Sequence, residues 1–464
     1  MKSSTDKEAL LLLTHLIEFV YRLLWGDLFT LPVGGGIGIS PMVVLLFTAG
    51  IWFTLRTRLL PVRLFRDMIA AVCEKNQNKE GLSSFQTLVV STATRVGMGN
   101  LVGVVAAVSA GGAGAVFWMW VTALLGASTS FIESTLAQKY RQPDPLYGGW
   151  RGGRPTTCTH WLSVGAAKKL RHSVTAALFA VSGLICWCGI SQVISNSVSS
   201  AFQNAFHIAP ADHYAGAHSA GRSHRAAQER HREKPGCDGA HHGGVLLCAH
   251  RGHSGGQLPP AARRAGPHFC RAFGLRQMAA GGFGAVLMNG VKRGLFSNEA
   301  GSGSAPCAAA AAACDDPVKM GFVQALGVLI DTVVICSCTA FLMLLVPQDL
   351  TAGLSGMDLL QTAMQYHLGG FGTVFIAATL ALFSFSTFLG VLYYARGNVA
   401  YLCGDNWWSQ TVYKLIALVM LLIGGLQAYT VVWDLGDVGI GLMTIFNMIA
   451  LYPLSGEAMD ALND

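Results

Sequence analysis

Long apolar runs dominate this chain. Nine stretches are long and apolar enough for a bilayer crossing, which needs about 20 mainly apolar residues. They lie at roughly 40–57, 84–109, 114–138, 173–205, 282–310, 318–346, 371–395, 411–428 and 433–454. Ahead of them, residues 9–24 carry Glu18 and Arg22 within an apolar run and have no small-residue cleavage site after it. That predicts an interfacial amphipathic helix and no cleavable signal peptide. The pattern divides the chain into an N-terminal interfacial segment (1–39), a first part of a membrane domain (40–206), an aberrant polar stretch (207–271) and a second part (272–464).

Two spans carry breaks at membrane depth. The span 84–109 contains Arg95-Val96-Gly97-Met98-Gly99-Asn100, and 282–310 contains Gly294 and then Ser297-Asn298-Glu299-Ala300-Gly301-Ser302-Gly303. Gly, Asn and Ser there free backbone groups that lipid cannot satisfy, so this backbone must line a protein cavity. Paired interrupted helices in two halves of a chain point to a transporter binding site. Small-residue helix packing is the plainer reading, but it leaves the polar cost of Asn100 and Glu299 unexplained.

Composition agrees. Hydrophobic residues make up 52% and charged residues 12%, against about 25% charged in ordinary globular chains, so the chain cannot cover a soluble surface. Arg56, Arg58, Arg63, Arg66, Lys75 and Lys79 follow the first span, and Lys139, Arg141, Arg151, Lys168, Lys169 and Arg171 follow the third. The positive-inside rule makes both loops cytoplasmic, the N-terminus external and the C-terminus cytoplasmic, as in a multi-pass protein of a bacterial inner membrane. The net charge of +7 does not indicate nucleic acid, because residues 211–270 alone supply +4. None of the twelve cysteines forms a C-x-x-C pair, and those in the spans read as small hydrophobes.

Residues 211–270 break the pattern. They hold 9 of the 14 histidines among Arg, Gly, Ala and Pro, without helical or strand period. One reading is a polar, His-rich loop. The other is a reading-frame slip, since a one-base shift moves the middle T of apolar codons and turns serial Ile codons into His codons. A slip replaces about two helices and a loop, which preserves the parity of the spans on either side. On that reading His241 and His242 are not metal ligands.

Four motifs carry a family resemblance: Gly97–Gly103 (GMGNLVG), Gly111–Arg141, Asn289–Ala312 (NGVKRGLFSNEAGSGSAPCAAAAA) and Ile330–Ala340 (IDTVVICSCTA). They resemble the alanine or glycine:cation symporters over about residues 10–206 and 272–458. The resemblance implies an all-α integral membrane protein of eleven helices, about nine intact here, in a leucine-transporter-like five-plus-five inverted repeat with two discontinuous helices. It implies sodium-driven import of alanine or glycine. The chain departs from the family pattern at Met98, Ala113 and Cys307, and at 154–159, which reads as a second, shorter slip.

A zwitterion in a low-dielectric site needs donors for its carboxylate and acceptors for its ammonium. Amides at Gly97, Gly99, Asn100 and Leu101, at a half-helix terminus, form the first expected half-site. Ser297, Asn298, Glu299, Ala300 and Gly301 form the second. For sodium, the coupling ion, carbonyls near Gly97 are joined by Ser386 and Thr387, placed by analogy with the repeat fold. Hydroxyl back-bonding within the helix is the alternative for that pair. Gln192 and Asn196 share one helix face, with ligand contact and helix–helix bonding both open. Glu133 and Asp331 are intramembrane acids, functional by default, although Glu133 also fits an interface role. Trp118 and Trp120 fit an aromatic belt. The spans contain no nucleophile–base pair, metal-ligand spacing or phosphate loop, so no enzyme, no cofactor beyond the coupling ion and no nucleic-acid partner is expected. The remaining alternatives are a channel and a non-functional product of a frame-damaged gene.

Overall fold

The structure is a computed structural model that describes residues 4–31, 37–73, 95–144, 150–153, 157, 173–207, 283–312, 314, 316–426 and 429–463. The aberrant stretch from 208 onward, the first part of the span 84–109 and most of 154–159 lie outside the described residues.

The described chain is helical, with two short antiparallel hairpins. Helix α1 (Ser4–Trp25) precedes β1 (Phe29–Leu31) and β2 (Ile37–Ile39), then α2 (Pro41–Arg56), α3 (Leu60–Arg63) and α4 (Phe65–Cys73). A π-helical turn, Gly99–Gly103, opens α5 (Val104–Lys139), and β3 (Gln142–Pro143) pairs with β4 (Trp150–Arg151). Then come α6 (Val174–Phe206), α7 (Phe283–Asn298), α8 (Ala305–Ala311) and α9 (Pro317–Leu329). A second π-helical stretch, Ile330–Cys336, leads to α10 (Ser337–Leu344). The chain ends with α11 (Gln348–Thr351), α12 (Gly356–Leu368), α13 (Gly370–Cys403), α14 (Trp407–Gly424) and α15 (Tyr429–Asn463).

Six helices among the described residues are long and apolar enough to cross a membrane. The nine expected spans map onto them with three changes. The span 40–57 is the 16-residue α2. The spans 84–109 and 114–138 form one helical run, Gly99–Lys139, of 41 residues. At about 1.5 Å per residue this is twice the hydrocarbon thickness, and Gly112 divides it with φ 57° and ψ −147°. The third change is 282–310, which is two helices with a non-helical break between Asn298 and Ala305.

Contacts along α7 trace the chain around Gly112. Asn100 touches Ser297 near the end of α7, and Gly111 faces Val286 near its start. Beyond Gly112, Ala115 meets Gly290, Met119 meets Gly294, and Gly126 faces Ala300. The first limb thus runs alongside α7 and the second returns beside it, in register. Glycine makes the return possible: a Cβ on Gly290 would lie 2.5 Å from the Trp118 Cβ.

The bundle has two distinct ends. At one, Arg56 donates to Ser455, Lys139 pairs with Glu457 at 2.6 Å, and Arg396 pairs with Asp144 at 2.8 Å. At the other, the Trp25 indole donates to the Asp437 carbonyl at 3.0 Å, and Asn204 bonds Asp358 of α12 at 2.6 Å. Helix α1 therefore docks on α15 through buried Leu24 and Trp25 and leaves Leu12, Leu16, Phe19 and Leu23 exposed. This is the amphipathic segment expected from 9–24, anchored at one end by protein contacts.

Candidate transport site

The two helix breaks meet. Gly97 lacks a side chain because any Cβ would collide with the Thr387 hydroxyl of α13. The Gly97 amide donates to Asn100 Oδ1 at 3.0 Å, and the Met98 amide donates to Thr387 Oγ1 at 3.0 Å. Asn100 Nδ2 donates to Asp331 Oδ1 at 2.7 Å and lies 3.3 Å from Ser297 Oγ and from Cys336 Sγ. Ser297 Oγ donates to Asp331 Oδ2 at 2.8 Å. Asn100, Ser297 and Asp331 are all buried. The two π-helical stretches thus face each other across one Asn–Asp–Ser cluster. Such bulges leave backbone out of helical register and often mark functional sites.

The second break is held open by local bonds. Asn298 Oδ1 accepts from the Ala300 amide at 3.0 Å while its Nδ2 donates to Thr332 at 3.2 Å. Glu299 takes the left-handed backbone, φ 58°, which non-glycine residues rarely adopt. Its carboxylate accepts from Ser304 Oγ at 2.8 Å. Glu133 accepts from the Gly301 amide at 3.2 Å and from Asn447 Nδ2 at 3.0 Å, and Asn447 also donates to the Gly301 carbonyl at 2.8 Å. The fully buried Glu133 therefore ties this break to α5 and α15, which is a different place from the membrane interface considered for it.

A cleft opens between the breaks, walled by Met98, Ile190, Phe296 and Tyr394 and given polarity by Arg95, Ser297, Glu299 and Thr387. Gly99 also lines it. A second cavity, beside Ala300, is lined by Leu46, Phe47 and Met448 with the hydroxyls of Thr122 and Thr129, and has no charged group.

The structure brings Gly97, Gly99, Asn100, Ser297, Asn298, Glu299 and Thr387 to one centre, with Leu101 and Gly301 buried on its flanks. Ser386 and Thr387 both back-bond to the Phe383 carbonyl, at 2.9 and 2.8 Å, and Thr387 also accepts from the Met98 amide. Gln192 lies 3.3 Å from Met420 Sδ, and Asn196 donates to the Gly424 carbonyl at 3.3 Å, so both face α14. Trp120 donates to Ser337 at 2.8 Å, and Trp118 packs edge-on against Phe47. Sequence reasoning missed Arg95, Thr332, Tyr394 and Asn447. Only Arg95, a cation inside an apolar span, carried a readable signal.

The comparisons follow the same outline. The model of the sodium:alanine symporter family matches residues 33–220 and 267–464, and leaves out a stretch within the polar region 211–270. The chain is 36% identical to the "Probable sodium/glutamine symporter GlnT" of Bacillus subtilis, covering 98% of this chain and 91% of the relative. It is 35% identical to the "Amino-acid carrier protein AlsT" of the same organism, over 90% of this chain and 88% of the relative. The "Sodium/alanine symporter AgcS" of Methanococcus maripaludis is 32% identical, over 89% of this chain and 92% of the relative. With two broken helices meeting at a buried polar centre and these matches along most of its length, the chain is a multi-pass membrane protein that belongs to the sodium:alanine symporter family.

Proposed function

We propose that this chain is a sodium-coupled symporter that imports a small neutral amino acid, alanine or glycine, across a bacterial inner membrane. The observation that carries the reading is the junction of the two helix breaks at Asn100, Ser297 and Asp331, beside a cleft bearing one cation and one acid. Broken helices that expose polar backbone at membrane depth suit a site reached alternately from either side. Met98, Phe296 and Tyr394 crowd the cleft, which favours a short side chain. The coupling ion belongs near Gly97 and Thr387, where carbonyl and hydroxyl oxygens converge. Ser386, Gln192 and Asn196, bonded to the Phe383 carbonyl, Met420 and the Gly424 carbonyl, act on the helix packing.

In this reading the breaks are the discontinuous helices of a leucine-transporter-like five-plus-five inverted repeat. The end bearing Arg56, Lys139 and Arg396 is cytoplasmic by the positive-inside rule, which sets the C-terminus inside with Glu457.

The test is uptake of labelled alanine by the full chain in proteoliposomes. An inward sodium gradient should drive accumulation that disappears when potassium replaces sodium, with glycine competing and glutamine not. Uptake indifferent to sodium overturns the coupling. Glutamine competing as well as alanine overturns the small-substrate assignment, and saturation-free conductance would make the protein a channel.

A further inference from the structure

The chain turns sharply where α2 ends. Arg58 and Leu59 both take the left-handed backbone, with φ 53° and 57°, which non-glycine residues rarely adopt. Arg63 of α3 braces the turn by donating to the Thr57 carbonyl at 3.4 Å. Helix α4 then packs Met68, Ala71 and Val72 into the same core cluster as Val323 and Leu326 of α9. The elbow is therefore held in place by its own bonds and by the bundle.

Outside that core contact, the elbow exposes two kinds of side chain. Leu59, Val62, Phe65 and Ile69 are exposed, Val62 by 74%. Arg58, Arg63 and Arg66 are exposed among them. The ion pairs at this end of the bundle, Lys139–Glu457, Arg151–Asp405 and Arg396–Asp144, use none of these three arginines. Asp67 is the one acid among residues 57–73. Water does not suit the apolar row, and hydrocarbon does not suit the guanidinium groups. Both are satisfied at headgroup level, where apolar side chains reach acyl carbon and arginines reach phosphate. The length of α2 sets that level. Its 16 residues span about 24 Å, less than the hydrocarbon thickness of about 30 Å, so the elbow is drawn into the interface.

We infer that the α3–α4 elbow is a docking surface for anionic phospholipid, in the leaflet that is cytoplasmic in the orientation given above. Arg58, Arg63 and Arg66 take the phosphate and its acidic headgroup, and the apolar row sits among the upper acyl carbons. Charge selects the lipid: three cations against one acid attract a net-negative headgroup, and a zwitterionic one gains little. The surface is separate from the transport centre. Its tie to that centre runs through α9, which continues into the π-helical stretch bearing Asp331.

The test is native mass spectrometry of the purified full chain titrated with phosphatidylglycerol or with phosphatidylethanolamine of the same acyl chains. It reads lipid binding directly, so its outcome does not depend on what the chain transports. Each arginine at an anionic surface is worth about fivefold in binding. The wild-type chain should hold phosphatidylglycerol at least about tenfold more tightly than phosphatidylethanolamine. The triple variant R58Q/R63Q/R66Q should bind the two lipids about equally. Arg58→Gln and Arg66→Gln alone should each weaken phosphatidylglycerol binding about threefold to fivefold, and they serve if the triple variant does not fold. Arg22→Gln, on α1 at the opposite end of the bundle, should leave the preference as it is. Equal binding of both lipids by the wild-type chain, or a phosphatidylglycerol preference that survives the triple variant, would overturn the assignment. Dimers in size-exclusion chromatography that the triple variant abolishes, with the lipid preference unchanged, would overturn it in favour of a second copy of the chain.

Discussion

Asn100 joins both broken helices: its carbonyl oxygen caps Gly97 and its amide reaches Asp331 and Ser297. Alanine at this position leaves a buried carboxylate and a buried amide short of a partner each. Asn100→Ala should lower sodium-driven alanine uptake at least about tenfold, on the scale of about 1.5–3 kcal/mol for a hydrogen bond to a charged group. Asn298→Ala at the second break, which frees the Ala300 amide and the Thr332 hydroxyl, should lower it severalfold or more, on the scale of about 1–3 kcal/mol for a buried unsatisfied group. Surface biotinylation should show both variants in the membrane, and near-normal uptake in both would remove these residues from the site. Thr387 accepts from Met98 and donates to the Phe383 carbonyl. Thr387→Val keeps the shape and removes the oxygen, so the sodium concentration for half-maximal uptake should rise severalfold while the alanine-to-glycine preference stays. An unaltered sodium requirement would exclude this hydroxyl from the ion site. Glu133 accepts from two donors, the Gly301 amide and Asn447. Glu133→Gln offers one oxygen and turns an NH2 toward the other donor. Thermal unfolding should report a loss of about 1–3 kcal/mol, the cost of one buried unsatisfied group.

At the scale of elements, the site depends on how closely α5 and α7 approach. Gly290 and Gly294 face Ala115 and Met119 at four-residue spacing, which is the ridge of one helix seated on the surface of the next. This contact holds the end of α7 against the first break, because the limb before Gly112 follows the same helix. Gly290→Val would set a branched side chain against Trp118. Overpacking of this kind costs about 1–3 kcal/mol, so a lower melting temperature and a loss of monodisperse protein in size-exclusion chromatography should follow. Gly397→Ala, where nothing lies within 4 Å of an added Cβ, is the control and should behave as wild type. A Gly290→Val protein as stable as this control would show that the close approach is dispensable. The π-helical stretches belong to the same scale. They turn Asn100 and Asp331 toward each other across elements 231 residues apart.

At the scale of the whole molecule, charge separates the two ends. Arg56, Lys139 and Arg396 gather at one, and α6 ends and α7 begins at the other, where Asn204 meets α12 and Gly284 meets Gly38. The polar region 211–270 carries eight Lys or Arg residues, and each Arg at a bilayer centre costs at least about 2.5 kcal/mol. In intact cells, protease added outside should therefore cut within 211–270, while a label at position 457 should react only after permeabilisation. Protection of 211–270 at membrane depth would overturn the reading of that segment as a solvated external loop. Alanine uptake by the chain as written, the outcome the proposed function expects, would set aside the alternative of a frame-damaged, non-functional product.

The apolar runs and the breaks within them were readable from the sequence alone, because lipid tolerates neither charge nor unpaired backbone except where protein encloses them. Gly97, Asn100, Ser297 and Glu299 stood out for that reason, and the structure gathers them at one centre. The turn at Gly112 was equally legible as the gap between two spans. Which face of each helix meets which neighbour was not, since it depends on contacts between residues far apart in the chain. Glu133 and Asn447 are 314 residues apart. Gln192 and Asn196 share a helix face, but only the placement of α14 decides that this face meets Met420 and Gly424. Helix α12 gave no apolar run long enough to be noticed. The sequence also shows Arg95 as a charge at membrane depth. Only the fold shows that Gln324 takes one of its nitrogens and that Glu299, which lines the same cleft, bonds Ser304.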